Sequence, residues 1–309
     1  MSTAAARMTD QGELDAAVRI ARRALASHRA TTEAQLTCLL DNEWFAPSSP
    51  LARAESSRPS LPGSDVSEAG HGRRHVPSAA TGTSSVTGQR GATSQHGAPG
   101  PRGETVLRGA GTDPETSTLA RQFAGGQRCH TTGGWSRTWG PAWSPHLEHS
   151  GPDVLVLFLA AEQQHLAELL ATLTARTESW DEPWALRTTT EHRLAGRPDA
   201  TVLHLPVEAF GRLAGEVRAL LTDVGPLLAG AAPALTLRLA PGAGIGQNAV
   251  GGLLFGEHRC HVIARCVLTH PEATYDELVR RARTALGRTG LDPVHPYRVR
   301  GSAWDLRWR

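Results

Sequence analysis

Chemically active side chains are concentrated between Gly251 and Ala264, where glycines precede a carboxylate, two imidazoles and a guanidinium. Glu257, His258 and Arg259 follow one another directly, and an apolar period comes next. This order predicts a glycine-rich turn that leads into a helix whose first turn carries these three side chains. Because a helix start offers free N–H groups and the positive end of a dipole, the stretch is a candidate oxyanion or phosphate site. An ordinary capped helix with a solvated, charged first turn fits the same pattern.

The composition bounds the class of protein. Only 39% of the 309 residues are hydrophobic, which indicates that part of the chain does not pack into a core. We expect a cytoplasmic protein, because no signal peptide is visible and the longest apolar run, 154–161, is too short to cross a bilayer. Four scattered cysteines indicate free thiols in a reducing compartment. The chain has no lysine, so its basic side chains are arginines, which bind anions well and accept protons poorly.

The chain is expected to have three parts. Residues 1–47 read as an N-terminal helical hairpin that packs on the body, with Thr31 or Thr32 capping its second helix. Residues 48–118 are rich in Ser, Gly, Thr and Pro, which predicts a disordered insertion. Residues 119–309 alternate strand and helix patterns. We therefore predict an α+β fold, a layered domain of mixed sheet and amphipathic helices.

Two apparent motifs fail on their spacing. The segment 242–247 imitates a dinucleotide-binding loop but lacks the third glycine of that fingerprint. Cys260, Cys266 and His270, with His258, imitate a zinc set without a paired ligand element. We therefore expect neither a metal nor a cofactor.

The C-terminal stretch 280–309 holds eight arginines with aromatic residues between them. Nucleic-acid binding is one interpretation of such a pattern. A solvated basic face, or a docking surface for an acidic partner, is the favoured one, and no nucleic-acid partner is expected.

Five segments together resemble the HopA-type effector family, in the order and spacing of that family. The resemblance covers 36–47 and about 119–297, which is nearly everything outside the insertion. Its most specific piece is Phe-Gly-Glu-His-Arg-Cys at 255–260. The other pieces are Leu-Thr-Cys-Leu-Leu-Asp-Asn-Glu-Trp-Phe-Ala-Pro at 36–47, Leu-Arg at 186–187 with the segment 197–206, the segment 236–244, and Gly-Leu-Asp-Pro…His-Pro-Tyr at 290–297.

The resemblance implies a lyase in the biosynthesis of ribosomal peptide natural products such as lanthipeptides and thioamitides. A separate Ser/Thr kinase phosphorylates the precursor peptide, the HopA-like protein eliminates the phosphate to leave dehydroalanine or dehydrobutyrine, and a cyclase is a further partner. The sequence departs from the family where lysines usually stand near Arg187 and Arg238, tyrosine near His204, and serine at Leu254. The usual lysine base is therefore missing.

Four arginines and two histidines are assigned on this basis. Arginine forks hold phosphate in a bidentate manner, and histidine serves as acid or base near neutral pH. The expected phosphate clamp, drawn from separated strands and one helix tip, is Arg187, Arg197, Arg238 and Arg259. His258 and His204 are the expected acid/base pair, with roles unassigned, and Glu257 orients one of these groups. The structural alternative is a Glu257–Arg259 ion pair that holds the fold, with His258 satisfied in the core.

Three functions remain open at this point. The first is the lyase, and the second is a non-catalytic partner or scaffold of the kinase complex. The third is a nucleic-acid-binding protein that uses the arginine-rich C-terminal stretch.

Overall fold

The computed structural model describes residues 3–46, 128–132, 134–144, 151–191, 194–249, 251 and 253–308. The predicted insertion at 48–118 lies outside these residues. The predicted domain boundaries therefore stay predictions.

Six helices and seven strands make up the described part of the chain. The helices are α1 (Thr3–Ala26), α2 (Glu33–Leu40), α3 (Leu166–Thr177), α4 (Val207–Val224), α5 (Phe255–Thr269) and α6 (Tyr275–Arg288). The strands are β1 (Arg128–Thr132), β2 (Trp135–Trp139), β3 (Val154–Leu159), β4 (Ala185–Thr189), β5 (Thr201–Pro206), β6 (Leu237–Ala240) and β7 (Ala243–Gln247).

The strands form one sheet in the order β1-β2-β4-β5-β3-β7-β6. Each of its pairs is antiparallel. The α+β class is confirmed, with an antiparallel rather than a mixed sheet. None of the helices described is long and apolar enough to span a bilayer.

Helices cover both faces of the sheet, because β3 and β5 alternate side chains between two apolar cores. Leu155, Leu157 and Leu203 pack with α3 and α4 on one face. Val156 and Phe158 face the other core, together with α1, α2, α5 and α6. The candidate functional site lies on this second face.

Two local features fix the second helical layer. Thr32 caps α2 as expected, and its side chain and that of Gln35 form a reciprocal capping box. After α2, a π-helical turn (Asp41–Phe45) delivers Phe45 into an aromatic cluster with Phe158 and Phe255, whose ring centroids lie 5.5–5.9 Å apart.

Two glycines leave the space that this aromatic cluster needs to pack closely against the sheet and the start of α5. A Cβ on Gly246 of β7 would lie 2.0 Å from the ring of Phe255, and a Cβ on Gly256 would lie 2.3 Å from the ring of Phe45. The segment that imitates a dinucleotide-binding loop is therefore a strand on which an aromatic ring rests directly.

Candidate functional site

A cavity of about 730 Å³ opens on the second face of the sheet, beside the aromatic cluster. Strands β3, β4 and β5 contribute its floor, and α2 and the start of α5 contribute its walls. Its polar lining residues are Thr37, Asp41, Arg187, Arg197, Asp199, His204, Asn248, Glu257 and His261.

Strand register brings Arg187 and His204 together on the cavity floor. Arg187 lies opposite Val202, and His204 lies opposite Ala185, so the two side chains are diagonal neighbours on one face of β4 and β5. Diagonal neighbours are within reach of long side chains. The guanidinium of Arg187 also stacks over the ring of Trp135, 4.4 Å from its centroid.

A second guanidinium stands beside the first. Arg137 of β2 lies directly opposite Arg187 in the sheet. Arg137 is not among the residues that line the cavity, but its positive charge acts on His204, as that of Arg187 does. This edge of the cavity is consequently suited to a negatively charged group.

His204 is buried and electrically neutral. Burial, and next the positive charges of Arg187 and Arg137, lower the pKa of His204 to about 3. Its Nδ1 is buried without a hydrogen-bond partner among the residues described. A neutral imidazole with a free ring nitrogen is a potential proton acceptor.

Arg197 is held by acidic neighbours. Its Nε donates to Asp199 at 2.8 Å, its Nη2 donates to Asp41 at 3.0 Å, and its Nη1 donates to Asn42 at 2.6 Å. Burial alone would lower the pKa of Arg197, but the bonds to Asp199 and Asp41 outweigh it and raise the pKa. Two carboxylates already oppose the charge of Arg197, so it attracts a further anion less strongly than an unopposed guanidinium would.

Asp41 links the α2 wall to this network. Burial raises the pKa of Asp41, and the charge of Arg197 opposes that rise. Asp41, Asp199 and Asn248 line the cavity, yet the sequence reasoning did not single them out. The available signals were an acidic residue at the end of a predicted helix and the Arg-Pro-Asp order at 197–199.

The start of α5 closes one side of the cavity, and the predicted helix start there is confirmed. Leu254 is the N-cap residue, and Leu254, Phe255, Gly256 and Glu257 all line the cavity. The first N–H groups of a helix lack intrahelical acceptors, so this helix end adds positive potential beside the cavity. Glu257 reaches the cavity as an exposed side chain.

Arg259 lies outside the cavity, which corrects its assignment to the phosphate clamp. It is completely buried, and its donors reach the carbonyl oxygens of Phe255 (2.9 Å), Gln247 (3.2 Å) and Pro296 (2.7 and 3.1 Å). Burial lowers the pKa of Arg259 well below its ordinary value. The alternative, a Glu257–Arg259 ion pair that holds the fold, is also not what holds this side chain, because its hydrogen bonds go to backbone carbonyls.

Arg238 is likewise separated from the cavity. It belongs to the edge strand β6, four strand positions from Arg187, which corresponds to about 19 Å. Its Nη2 pairs with Glu13 of α1 at 2.8 Å, and its side chain is 55% exposed. The expectation that four arginines converge is therefore wrong: Arg187 and Arg197 line the cavity, and Arg238 and Arg259 do not.

The two histidines are also separated. His258 is buried, but it does not belong to the cavity lining. Burial, then the charges of Arg259 and His261, lower its pKa to about 4. Its Nδ1 has no hydrogen-bond partner within the described ranges, so it is not the satisfied core residue of the structural alternative.

The described residues give less support to a metal site or to a nucleic-acid-binding surface than to this cavity. Within the described ranges, no group of three or more His, Cys, Asp or Glu side chains is arranged to hold a metal ion. In the C-terminal stretch, Tyr297 and Trp304 are buried in the core, and Arg298 pairs with Asp292 and Asp305. These aromatic rings are thus not exposed for stacking on nucleic-acid bases.

Comparison with known proteins identifies the family to which this sequence is similar. The model of the HopA1 effector protein family matches residues 142–298. The chain is similar to the effector protein from Pseudomonas syringae pv. tomato strain DC3000, with 11% identity and a TM-score of 0.48 over 61% of this chain and 82% of that one. For the effector protein from Pseudomonas syringae pv. syringae strain 61, the identity is 13% and the TM-score 0.41, over 53% of this chain and 62% of that one. No curated protein matches the chain.

Proposed function

The chain belongs to the HopA1 effector protein family, and we propose that it is a lyase that removes phosphate from phosphoserine or phosphothreonine in a peptide. The observation that carries the proposal is the pairing of Arg187 with the neutral His204 on the floor of one cavity. The guanidinium of Arg187 is suited to bind a phosphate dianion, and the neutral imidazole of His204 is suited to accept a proton.

Binding would begin at the phosphate. Arg187 offers a planar fork to two phosphate oxygens, Arg137 adds charge from the next strand, and the start of α5 adds its dipole. Arg197 takes a different role, which is to hold the α2 wall in place through Asp41 and Asp199.

Elimination then requires a base at the α-carbon. His204 would accept the α-proton at Nδ1, the C–H electrons would form the Cα=Cβ bond, and the Cβ–O bond would break to release phosphate. A pKa of about 3 makes free His204 a weak base. Burial is the largest cause of this low pKa, and the two arginine charges add to it. A bound dianion would oppose the arginine charges, so the substrate would raise the pKa of His204 by that part alone.

The cellular setting follows from the family resemblance. A separate Ser/Thr kinase would supply the phosphorylated precursor peptide, and a cyclase would consume the dehydrated product. We propose that these steps belong to lanthipeptide or thioamitide biosynthesis in the cytoplasm.

A second candidate function is a non-catalytic subunit that binds the phosphopeptide and presents it to another enzyme. The observation that favours it is the absence of lysine from the sequence, combined with the low pKa of His204. Both functions use the same anion site, and they differ in turnover.

Incubation with a synthetic phosphothreonine peptide separates these functions. A lyase releases inorganic phosphate and leaves a peptide whose mass has fallen by one phosphoric acid. Arg187→Gln should lower both binding and turnover at least tenfold, whereas Arg238→Gln, outside the cavity, should leave both unchanged. Binding without phosphate release would favour the non-catalytic subunit, and no binding by the wild type would refute both.

A further inference from the structure

The cavity is lined by apolar as well as charged side chains, and three leucines of this lining are only partly covered by the protein. They are Leu194, Leu253 and Leu254, and we call these three residues the leucine rim. Leu254 is 40% exposed. In the described part of the chain, Val294 is the other large hydrophobic residue with an exposed side chain. A cavity with charged groups and leucines in its lining suits a ligand that carries an anion next to apolar groups.

Leu254 also occupies a position that helix stability disfavours. It is the N-cap residue of α5, and its side chain makes no capping hydrogen bond. Leucine ranks among the poorest N-cap residues, whereas serine is among the best. The side chain of Leu254 therefore neither caps the helix nor packs in the core, and its exposed surface adjoins the cavity.

We propose that the leucine rim receives an apolar side chain that is adjacent in sequence to the phosphorylated residue of the peptide, an inference that rests on the proposed function. Consecutive Cα atoms are 3.8 Å apart. Arg187 and the leucine rim line the same cavity, so a peptide whose phosphate binds Arg187 would bring its flanking side chains close to the rim. The rim thus selects peptides in which phosphoserine or phosphothreonine is flanked by large apolar residues.

The test uses peptides that cannot react. In each, a phosphonate analogue of phosphoserine replaces the ester oxygen with CH₂, and the flanking residues are either leucine or serine. Fluorescence polarisation gives the Kd for wild type, Leu254→Ser and the matched control Val294→Ser, which changes an equally exposed side chain outside the cavity.

The wild type should bind the leucine-flanked peptide about tenfold more tightly than the serine-flanked one. Leu254→Ser should reduce that ratio below about threefold, and Val294→Ser should leave it at about tenfold. Because serine is a better N-cap, Leu254→Ser should also raise Tm by about 3 °C, so a loss of selectivity cannot be attributed to unfolding.

Two results would overturn the proposal in distinguishable ways. Equal affinity of the wild type for the two peptides, or an unchanged ratio in Leu254→Ser, refutes the rim and leaves the phosphate site standing. Failure of every peptide to bind the wild type refutes the phosphate site, and the rim with it.

Discussion

Replacement of Arg259 by methionine tests whether this side chain holds the fold or binds phosphate. Methionine keeps an unbranched apolar chain that can still pack on the ring of Phe255, whose centroid lies 3.3 Å from the guanidinium carbon. It removes every donor. The change therefore isolates the hydrogen bonds that join α5 to the end of β7 and to the C-terminal loop.

The expected loss of stability follows from the acceptors left behind. Two buried carbonyl oxygens, those of Gln247 and Pro296, lose their donor, whereas the carbonyl of Phe255 keeps the helical N–H of residue 259. An unsatisfied buried acceptor costs roughly 1–3 kcal/mol. Removal of a buried charge recovers part of its desolvation cost, so we expect a net loss of about 3 kcal/mol. For a domain of this size the corresponding fall in Tm is roughly 6–12 °C.

Urea unfolding followed by tryptophan fluorescence measures this loss, with Arg238→Met as the control. Arg238 forms a largely exposed ion pair with Glu13, for which we expect no more than about 1 kcal/mol. Two results would refute the reasoning. One is a loss for Arg259→Met that lies within about 0.5 kcal/mol of the loss for the control. The other is unchanged stability with abolished binding of the phosphonate peptide, which would make Arg259 an anion ligand.

Two further predictions concern pH and the aromatic cluster. The pKa values of His204 and His258 are lowered to about 3 and about 4, so the unfolded chain binds more protons than the folded one between these values and about 6.5. Stability should consequently be fully present above pH 6.5 and fall with decreasing pH, by up to about 1.4 kcal/mol per pH unit for each histidine. Urea unfolding from pH 7 to 4.5 measures the slope, and a slope that does not change in His204→Gln would contradict it. Gly246→Ala should destabilise the protein by about 1–3 kcal/mol because its Cβ would overlap the ring of Phe255. Gly215→Ala, in the interior of α4 with open space around it, should stabilise by about 0.5–1 kcal/mol, and equal effects of the two changes would refute the packing argument.

Local patterns were sufficient to predict much of the secondary structure. The helices α5 and α6 begin at Phe255 and Tyr275, where the sequence places an apolar period after glycines and after a threonine cap. The buried strand β3 follows from its apolar run at 154–159. These signals are properties of neighbouring residues, so they can be read without knowledge of the fold.

The residues that line the cavity could not be predicted from their positions along the chain, because strand order and register decide which of them meet. Arg187 and Arg238 point to the same face of the sheet and belong to the same row of paired residues across the strands. Three strands nevertheless lie between them, so their side chains do not meet. Residue types alone also could not distinguish a guanidinium that binds carbonyls from one that faces a cavity. Arg259, inside the most specific motif, belongs to the first kind. The proximity of Arg187 to His204 required the register of β4 and β5.

The wall of the cavity and its floor come from distant parts of the chain. Residues of α2 and its following turn form the wall, the strands from Val154 onward form the floor, and the ion pair of Asp41 with Arg197 joins them across the long stretch between. Closing a chain loop costs only about 0.6 kcal/mol more for each doubling of its length. Asp41 and Arg197 are 156 residues apart in the sequence. A change in that number would therefore alter the free energy of forming the cavity only slightly.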